Sequence, residues 1–281
     1  MAQSRRDECD SDQTRRVSYS EAKAQQDGER VIVLASRSTR RALLLREAGY
    51  RFMQLAPPFH DPPQPLACSA GGEAHPPPHV VAMDLALRKA QSLQTLLLKR
   101  SASSSPDLSP GVPPDWLSNQ GTHPGGEWSL RGDEYHLSQH DVILGADTVV
   151  VASDGELLGQ PRDQDQARQI LRRLIDTTHR VVTAVALVSP TEDRSEVFSD
   201  EARVHLGPVA DGVLDAYLRS GQWCGKAGGY NLMELQGDWP FFVVDDPTTV
   251  IGLPMKKLGE HLSHWPVSPA PHQADPGPTK G

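Results

Sequence analysis

Two serines and three arginines follow the first apolar stretch of the chain at close spacing. Ser36 comes directly after the apolar run Val31–Ala35, and Ser38 and the arginines Arg37, Arg40 and Arg41 follow within the next five positions. A buried strand that leads into a helix directs the first helical amides toward a bound anion, and hydroxyl and guanidinium groups add donors matched to phosphate oxygens. This spacing favours a polyphosphate ligand such as a nucleoside triphosphate. The alternative is a solvated first helical turn, although arginines there oppose the helix dipole.

An aspartate interrupts a second apolar stretch. Asp147 lies inside the β-branched run Val142–Val151. A carboxylate is costly to bury among apolar residues unless it binds a cation or takes part in chemistry. Such a group can hold a metal ion, or it can accept a proton from an attacking water molecule. A strand-end aspartate satisfied by backbone amides is the structural alternative.

Two lysines lie where a positive charge could reach the same ligand. Lys89 is in an alanine-rich stretch with helical periodicity, and Lys226 begins a glycine-rich segment that ends at Tyr230. Glycines let the backbone approach a ligand closely, and an ammonium group neutralises phosphate charge. Solvated surface lysines are the alternative at both positions. The sequence contains no CxxC or HExxH motif that would indicate a metal cluster.

The elements that must position these residues alternate between strand and helix. Short apolar runs predict buried strands, and apolar residues at helical spacing predict helices. Strands are expected at Val31–Ala35, Val142–Val151, Val181–Val188, Glu196–Leu206, Phe241–Val244 and Thr249–Ile251. Helices are expected at Arg41–Ala48, Val80–Leu98, Gln164–Leu174, Asp211–Leu218 and Met255–Leu262. This alternation predicts an α/β fold with a mixed sheet.

The composition restricts the class of protein and of partner. The chain has 281 residues, a formal net charge of −8 and three cysteines. The negative charge argues against a nucleic acid or an anionic membrane as the main partner, and the few scattered cysteines indicate a reduced, cytoplasmic protein. No apolar run approaches the roughly 18 residues that a membrane span needs, and no signal peptide is expected at the N-terminus.

Three polar segments flank or interrupt the part of the chain that can form a core. Residues 1–29 and 264–281 are expected to be disordered tails, because they hold few large apolar groups. Residues 101–138 are rich in serine, proline and glycine, which predicts an insertion without regular structure; a functional loop is the alternative. One folded domain is therefore expected over residues 30–263.

Five short motifs, taken in order, resemble those of the Maf family of nucleoside triphosphate pyrophosphatases. They are LASRSTRR at 34–41, GADTVV at 145–150, HRVVT at 179–183, KAGGY at 226–230 and VIGLP at 250–254. Each motif alone is weak, but five in the family's order and at its separations are specific. The resemblance covers residues 31–262 apart from the insertion.

The resemblance implies an α/β fold of the Maf and ITPase type, with a mixed central sheet in two lobes around a nucleotide-binding cleft. It implies hydrolysis of a nucleoside triphosphate, non-standard or surplus to the cell, to the monophosphate and pyrophosphate. The implied cofactor is a divalent metal ion, most simply Mg²⁺, and the implied assembly is a homodimer.

The family's catalytic and phosphate-binding residues carry over by position. Ser36, Arg40 and Arg41 would bind the phosphates, and Lys89 would neutralise them. Asp147 would contact the metal and accept the proton of the attacking water. These assignments agree with the chemistry that the residue types themselves suggest.

The family's specificity residues match this chain only in part. Thr148 would lie beside the base or sugar, and Lys226 and Tyr230 match the branch that acts on dTTP and UTP. Met233, however, replaces the specificity glutamine of that branch, and Glu234 lies one position from a glutamate typical of the 7-methyl-GTP branch. Pyrimidine substrates are therefore favoured, and 7-methyl-GTP is the alternative.

Two further positions depart from the family pattern. Asp61 stands where a metal-binding glutamate is usual, and the shorter carboxylate could still reach the metal through water. Gln160 replaces a phosphate-neutralising lysine, a loss that Arg162 could compensate by reaching the same phosphates. These departures keep open a second hypothesis, a nucleotide-binding regulatory protein with weak or lost catalysis.

Overall fold

The computed structural model describes residues 31–59, 76–102, 121–123, 126–128, 141–235, 239–265 and 267. Seven strands form one mixed sheet: β1 (Ile32–Ala35), β2 (Phe52–Leu55), β5 (Val142–Val151), β6 (Leu157–Leu158), β7 (Thr177–Val188), β8 (Ser195–Leu206) and β9 (Phe241–Val243). A separate antiparallel pair consists of β3 (Gly121–His123) and β4 (Gly126–Trp128). The helices are α1 (Thr39–Glu47), α2 (Pro78–Ala102), α3 (Gln164–Leu174), α4 (Asp211–Ser220), α5 (Pro247–Ile251) and α6 (Met255–Leu262).

Strand direction changes at the centre of the sheet. The order is β2–β1–β5–β7–β8–β9, with β6 paired to the end of β5. β1 is parallel to β2 and β5, whereas β7 is antiparallel to both β5 and β8. The carboxyl end of β1, at Ala35, pairs with Gly145 in β5. In open α/β sheets a ligand crevice forms outside such strand ends, so this register brings Ser36 and Asp147 to one crevice.

Helices cover both faces of the sheet, which explains why its strands have nearly continuous apolar sequences. On β1, Val33 packs in the cluster that contains the alanines of α2. Its neighbour Leu34 packs in the cluster on the opposite face, with α1 and α6. A third cluster joins α3 and α4 to the far end of β5 and β7. Successive side chains of a strand point to opposite faces, and here both faces are buried.

The structure confirms the mixed α/β class and corrects one element. Thr249–Ile251, expected as a strand, belongs to helix α5. Asp246 caps this helix by accepting a hydrogen bond from the Thr248 amide, and Pro247 occupies the first turn. An N-cap aspartate followed by proline is a strong helix start, and it outweighs the strand preference of the β-branched residues that follow. Strand β2 was not predicted; its four residues include Gln54, which interrupts the apolar run.

Part of the chain expected to lack regular structure carries some. Helix α2 continues to Ala102, and the β3–β4 pair lies inside the segment 101–138. The remainder of that segment, and both expected tails except residues 264, 265 and 267, lie outside the described residues. Within the described part of the chain, no helix is long and apolar enough to cross a membrane.

Candidate active site

A cleft of about 500 Å³ opens at the carboxyl end of β1. Its walls come from the β1–α1 loop, from β5 and α2, and from the segment after α4. Most of the residues singled out from the sequence line it, namely Ser36, Arg40, Arg41, Lys89, Asp147, Thr148, Gln160 and Lys226. Arg37 lines the cleft as well, so residues from distant parts of the chain converge on one site with five positively charged side chains.

The β1–α1 loop forms the hydroxyl-rich end of the cleft. Ser38 caps helix α1, because its side chain accepts a hydrogen bond from the Arg41 amide. The Ser36 hydroxyl accepts a bond from the Ser38 amide at 3.1 Å. Gln54 in β2 donates to the carbonyl oxygens of both serines. The loop is thus held in the conformation that directs the start of α1 at the cleft, as an anion site at a helix N-terminus requires.

Arg41 is oriented by three groups of the cleft wall. Its Nε donates to the Gly252 carbonyl at 2.9 Å, and its two terminal nitrogens donate to Ser36 Oγ at 3.2 Å and Thr148 Oγ1 at 3.1 Å. Gly252 has a φ of +124°, a backbone conformation that favours glycine. The guanidinium plane is therefore preset before a ligand arrives, which lowers the entropy cost of binding phosphate.

The Lys89–Asp147 ion pair forms the floor of the cleft. Lys89 Nζ lies 2.6 Å from Asp147 Oδ1. The pair depends on a close approach of α2 to β5, because a methyl group on Gly145 would lie 2.2 Å from the Ala86 carbonyl oxygen and 3.0 Å from the Ala90 methyl group. Small residues at these three positions therefore bring the lysine within reach of the aspartate, and they explain the alanine-rich face around Lys89.

A second carboxylate contacts two cations of the cleft. Lys226, which is buried, donates to Glu234 and to the Gln222 carbonyl, and Arg40 lies 3.9 Å from the other Glu234 oxygen. Burial raises the pKa of Glu234, but hydrogen bonds from Lys226 and Asn231 and the nearby positive charges outweigh it and hold that pKa below its usual value. Glu234 is therefore an anion beside the cleft that lies close to two of its cations, although it is not one of the described residues that line the cleft.

A buried histidine supports the wall that contains Tyr230. His179 Nε2 lies 2.6 Å from the Tyr230 hydroxyl, and His179 is 1% exposed. Burial, with a smaller contribution from the positive charge of His205, lowers the pKa of His179 to about 4. His179 is therefore neutral at physiological pH. The contact joins the histidine of the HRVVT motif to the tyrosine of the KAGGY motif, which gives His179 a structural role in the cleft wall.

Two sequence-based assignments find a different place in the structure, and a third lies outside the described residues. Met233 is 48% exposed and is not one of the described residues that line the cleft, whereas the next residue, Glu234, contacts its cations. Arg162 also lies outside the described lining, and its Nε points to Gln166 at 3.4 Å in the first turn of α3. The expected compensation for Gln160 by Arg162 is therefore not supported. Asp61 lies outside the described residues.

Sequence reasoning missed two polar residues that matter to the site. Thr183 in β7 and Thr249 in α5 are fully buried; the Thr183 hydroxyl contacts the Thr148 hydroxyl and also donates to the Thr249 carbonyl. Thr183 belongs to the HRVVT motif, but a threonine in an apolar strand is also an ordinary strand residue. Only the pairing of β5 with β7, which sets Thr148 opposite Thr183, shows what its hydroxyl contacts.

The resemblance also implied a divalent metal ion. Among the described residues, no group of three or more His, Cys, Asp or Glu side chains is placed to hold one. Mg²⁺, however, is commonly bound by one or two carboxylates together with substrate phosphates. Asp147 supplies such a carboxylate on the floor of a cleft lined by phosphate-binding groups. The residues present therefore fit a metal ion that is held jointly by the protein and the nucleotide.

Comparison with known proteins agrees with this geometry. A family model described as Maf-like protein matches residues 31–265. A dTTP/UTP pyrophosphatase of Desulfitobacterium hafniense is 32% identical over 237 residues, which cover 84% of this chain and 86% of that protein. A dTTP/UTP pyrophosphatase of Thermus thermophilus is 31% identical over 231 residues, covering 82% and 92% respectively.

A third relative is more similar over a shorter stretch. The dTTP/UTP pyrophosphatase of Salinibacter ruber is 44% identical over 120 residues, which cover 42% of this chain and 57% of that protein. The match therefore spans less than two thirds of the Salinibacter protein. The family model and the two longer matches nevertheless extend over most of the chain, and this chain belongs to the Maf family.

Proposed function

We propose that this protein is a nucleoside triphosphate pyrophosphatase that hydrolyses pyrimidine nucleotides such as dTTP and UTP to the monophosphate and pyrophosphate. The observation that carries the proposal is the convergence of Arg40, Arg41, Lys89 and Lys226 on one cleft whose floor holds Asp147. With Arg37, which also lines the cleft, these cations would neutralise the charge of a triphosphate, and the carboxylate among them would act on a water molecule. The names of the relatives support both the reaction and the base.

Asp147 acts as the general base in this proposal. A water oxygen attacks the α-phosphorus, and a new P–O bond forms while the bond from that phosphorus to the bridging oxygen of pyrophosphate breaks. The proton of the water passes to the Asp147 carboxylate. Lys89 holds Oδ1 of that carboxylate at 2.6 Å, which fixes its orientation relative to the phosphate groups.

The remaining groups of the cleft stabilise the negative charge that moves to the leaving pyrophosphate. Ser36 and Arg41 are preset by their mutual hydrogen bond at 3.2 Å, so little reorganisation accompanies binding. A divalent ion held by Asp147 and the phosphates would supply further charge neutralisation. Gln160 lies in the cleft and contributes hydrogen bonds without charge.

A nucleotide-binding regulatory protein is the second candidate. Two observations favour it. Glu234 already pairs with Lys226 and lies near Arg40. Neutral Gln160 lines the cleft at a position where a lysine is usual in the family. Such a site would bind nucleotide and turn it over slowly. The same carboxylate is the group that would favour 7-methyl-GTP as the substrate.

The two candidates differ in products. Purified protein with Mg²⁺ would be incubated with UTP, dTTP, CTP, ATP, GTP and 7-methyl-GTP, and pyrophosphate, orthophosphate and monophosphate would be quantified separately. We expect equal amounts of pyrophosphate and monophosphate, with UTP and dTTP the best substrates. Nucleotide binding by calorimetry without any product would support the regulatory protein instead, and orthophosphate as the main product would contradict both.

A further inference from the structure

We propose that Thr183 is a positioning residue of the cleft, which fixes the Thr148 hydroxyl so that it accepts a hydrogen bond from the nucleotide. The donor on the nucleotide is then an N–H of the base or an O–H of the sugar. This inference rests on the proposed function only in that a nucleotide occupies the cleft. It concerns recognition and does not depend on turnover.

The direction of each hydrogen bond follows from the partners. Thr183 Oγ1 lies 2.7 Å from the Thr249 carbonyl oxygen, which can only accept, so the Thr183 proton lies on that bond. Thr183 Oγ1 also lies 2.9 Å from Thr148 Oγ1. Because the single proton of Thr183 is used elsewhere, Thr148 must donate in that contact. The Thr148 oxygen therefore has only lone pairs left for its other neighbours.

Arg41 agrees with this direction. Its terminal nitrogen lies 3.1 Å from Thr148 Oγ1, and a guanidinium group can only donate. Thr148 thus accepts from Arg41 on one side and donates to Thr183 on the other. The chain of bonds runs from Arg41 through Thr148 and Thr183 to the Thr249 carbonyl, with one proton in each contact.

Burial prevents this chain from reversing easily. Thr183 and Thr249 are both fully buried, so water does not offer the Thr183 hydroxyl another partner. Helix α5 is anchored in turn, because the Thr249 hydroxyl donates to Asp200 at 2.6 Å and Asp200 pairs with Lys257 at 2.7 Å. A reversed arrangement would leave the buried Thr249 carbonyl without its donor, which is costly.

The fixed direction restricts what Thr148 can recognise. Thr148 is partly exposed at the cleft, and its remaining lone pair can only accept. Ionised phosphate oxygens carry no proton, so they cannot be the partner of this hydroxyl. Uracil and thymine present an N3–H group, and the sugar presents hydroxyl groups. The geometry therefore assigns Thr148 to the base or sugar and leaves the phosphates to the charged groups of the cleft.

The test compares two variants at position 183 with a matched control. Thr183→Val keeps the shape of the side chain and removes the hydroxyl, whereas Thr183→Ser restores it. Thr177→Val is the control, because the Thr177 hydroxyl, like that of Thr183, lies within hydrogen-bond distance of backbone carbonyl oxygens, but at the end of α3 and without a contact to Thr148. We expect Thr183→Val to weaken UTP binding about tenfold, the size of one hydrogen bond, with near wild-type binding in the other two variants.

Binding is measured by calorimetry in the full-length protein, and KM and kcat are measured beside it. A rise in KM at nearly unchanged kcat in Thr183→Val would support a role in recognition. Equal UTP affinity in Thr183→Val and Thr177→Val would overturn the inference. Absence of turnover in the wild type would count against the proposed function alone, because the affinities still test Thr183.

Nucleotide analogues identify the donor. UTP is compared with N3-methyl-UTP, 2′-deoxy-UTP and 3′-deoxy-UTP, each of which lacks one donor. We expect one analogue to bind the wild type about tenfold more weakly than UTP does. In Thr183→Val the affinities of this analogue and of UTP should be nearly equal. The analogue that does so names base or sugar as the source. If none of the three shows a deficit that depends on Thr183, the assignment of Thr148 as an acceptor is wrong.

Discussion

Lys89 and Asp147 form a nearly buried ion pair, with 2.6 Å between Nζ and Oδ1 and side-chain exposures of 12% and 10%. Removal of one partner from such a pair leaves a charge with less compensation in a poorly solvated place. Here the pair also opens onto a cleft that holds four further cations, so the remaining lysine charge would face bound phosphate. The ion pair therefore contributes both to the packing of α2 against β5 and to the charge distribution in the cleft.

Asp147→Asn tests the general base. The amide has nearly the same shape but cannot accept the proton of water, and it binds a metal ion less well. We expect a loss of at least about 10²-fold in kcat while the protein remains folded. Asp154→Asn is the matched control, since Asp154 is an exposed aspartate paired with Arg173 on the surface. Pyrophosphate release and thermal melting would be measured for both, and half-normal activity in Asp147→Asn would refute the assignment.

Gly145→Ala tests the close approach that creates the ion pair. The new methyl group would lie 2.2 Å from the Ala86 carbonyl oxygen, so α2 must move away from β5 and carry Lys89 with it. Overpacking of this kind costs about 1–3 kcal/mol of unfolding free energy, and we expect a clear fall in activity as well. Urea unfolding and pyrophosphate release would measure the two effects.

Gly212→Ala provides the control for that substitution. Gly212 lies in helix α4, where an added methyl group meets nothing within 4 Å. Alanine is the better helix former by up to about 1 kcal/mol, so this variant should be as stable as the wild type or more stable, with unchanged activity. Equal behaviour of the two glycine variants would show that α2 adapts to the extra group and that the close approach is not required.

The sequence predicted the fold class and most of the candidate residues that line the cleft, because strand and helix patterns and short motifs are local features of the sequence. The apolar run predicted the bounds of β5, which is Val142–Val151 in the structure as expected. The helical spacing of apolar residues likewise predicted the bounds of α3, Gln164–Leu174. The convergence of Ser36 with Asp147 needed the parallel register of β1 and β5, which the strand–helix order indicated only in outline.

The contacts that the sequence did not predict depend on long-range pairing or side-chain direction. Glu234 reaches Lys226 because the chain turns after the segment at 226–230, and no residue pattern fixes that turn. Thr183 reaches the Thr249 carbonyl across 66 positions of sequence. Such contacts are set by the packing of elements against one another, and composition or periodicity does not encode them.

Gln160→Lys tests the missing positive charge. Gln160 is exposed at the cleft, so a lysine can be accommodated and can reach a bound triphosphate. We expect a gain of severalfold in kcat/KM, within the roughly 1–3 kcal/mol that a charged hydrogen bond to the leaving group can contribute. Arg162→Ala is the control, because Arg162 bonds to Gln166 and should affect activity little. A clear loss in Arg162→Ala would restore the compensation that the sequence suggested.

The last prediction concerns acid sensitivity and the buried His179. Its pKa is about 4 in the folded protein, chiefly because burial disfavours the charged ring, whereas an unfolded histidine titrates near 6.5. Between these values the unfolded chain binds a proton that the folded protein does not. The unfolding free energy is therefore complete above pH 6.5 and falls as the pH decreases toward 4, by about 3 kcal/mol in total for this group.

His179→Gln removes the titrating group and keeps an amide that can hydrogen-bond to the Tyr230 hydroxyl. Urea unfolding at pH 7.5, 6 and 5 should show a smaller loss of stability in this variant than in the wild type, while carboxylates such as Glu234 contribute equally to both. His205→Gln separates the effect of burial on the His179 pKa from the effect of the His205 charge. Because burial has the larger effect, the unfolding free energy of this variant should keep most of the wild-type pH dependence. If His179→Gln and the wild type lost stability in parallel from pH 7.5 to 5, His179 would not be the buried neutral group that its contact with Tyr230 indicates.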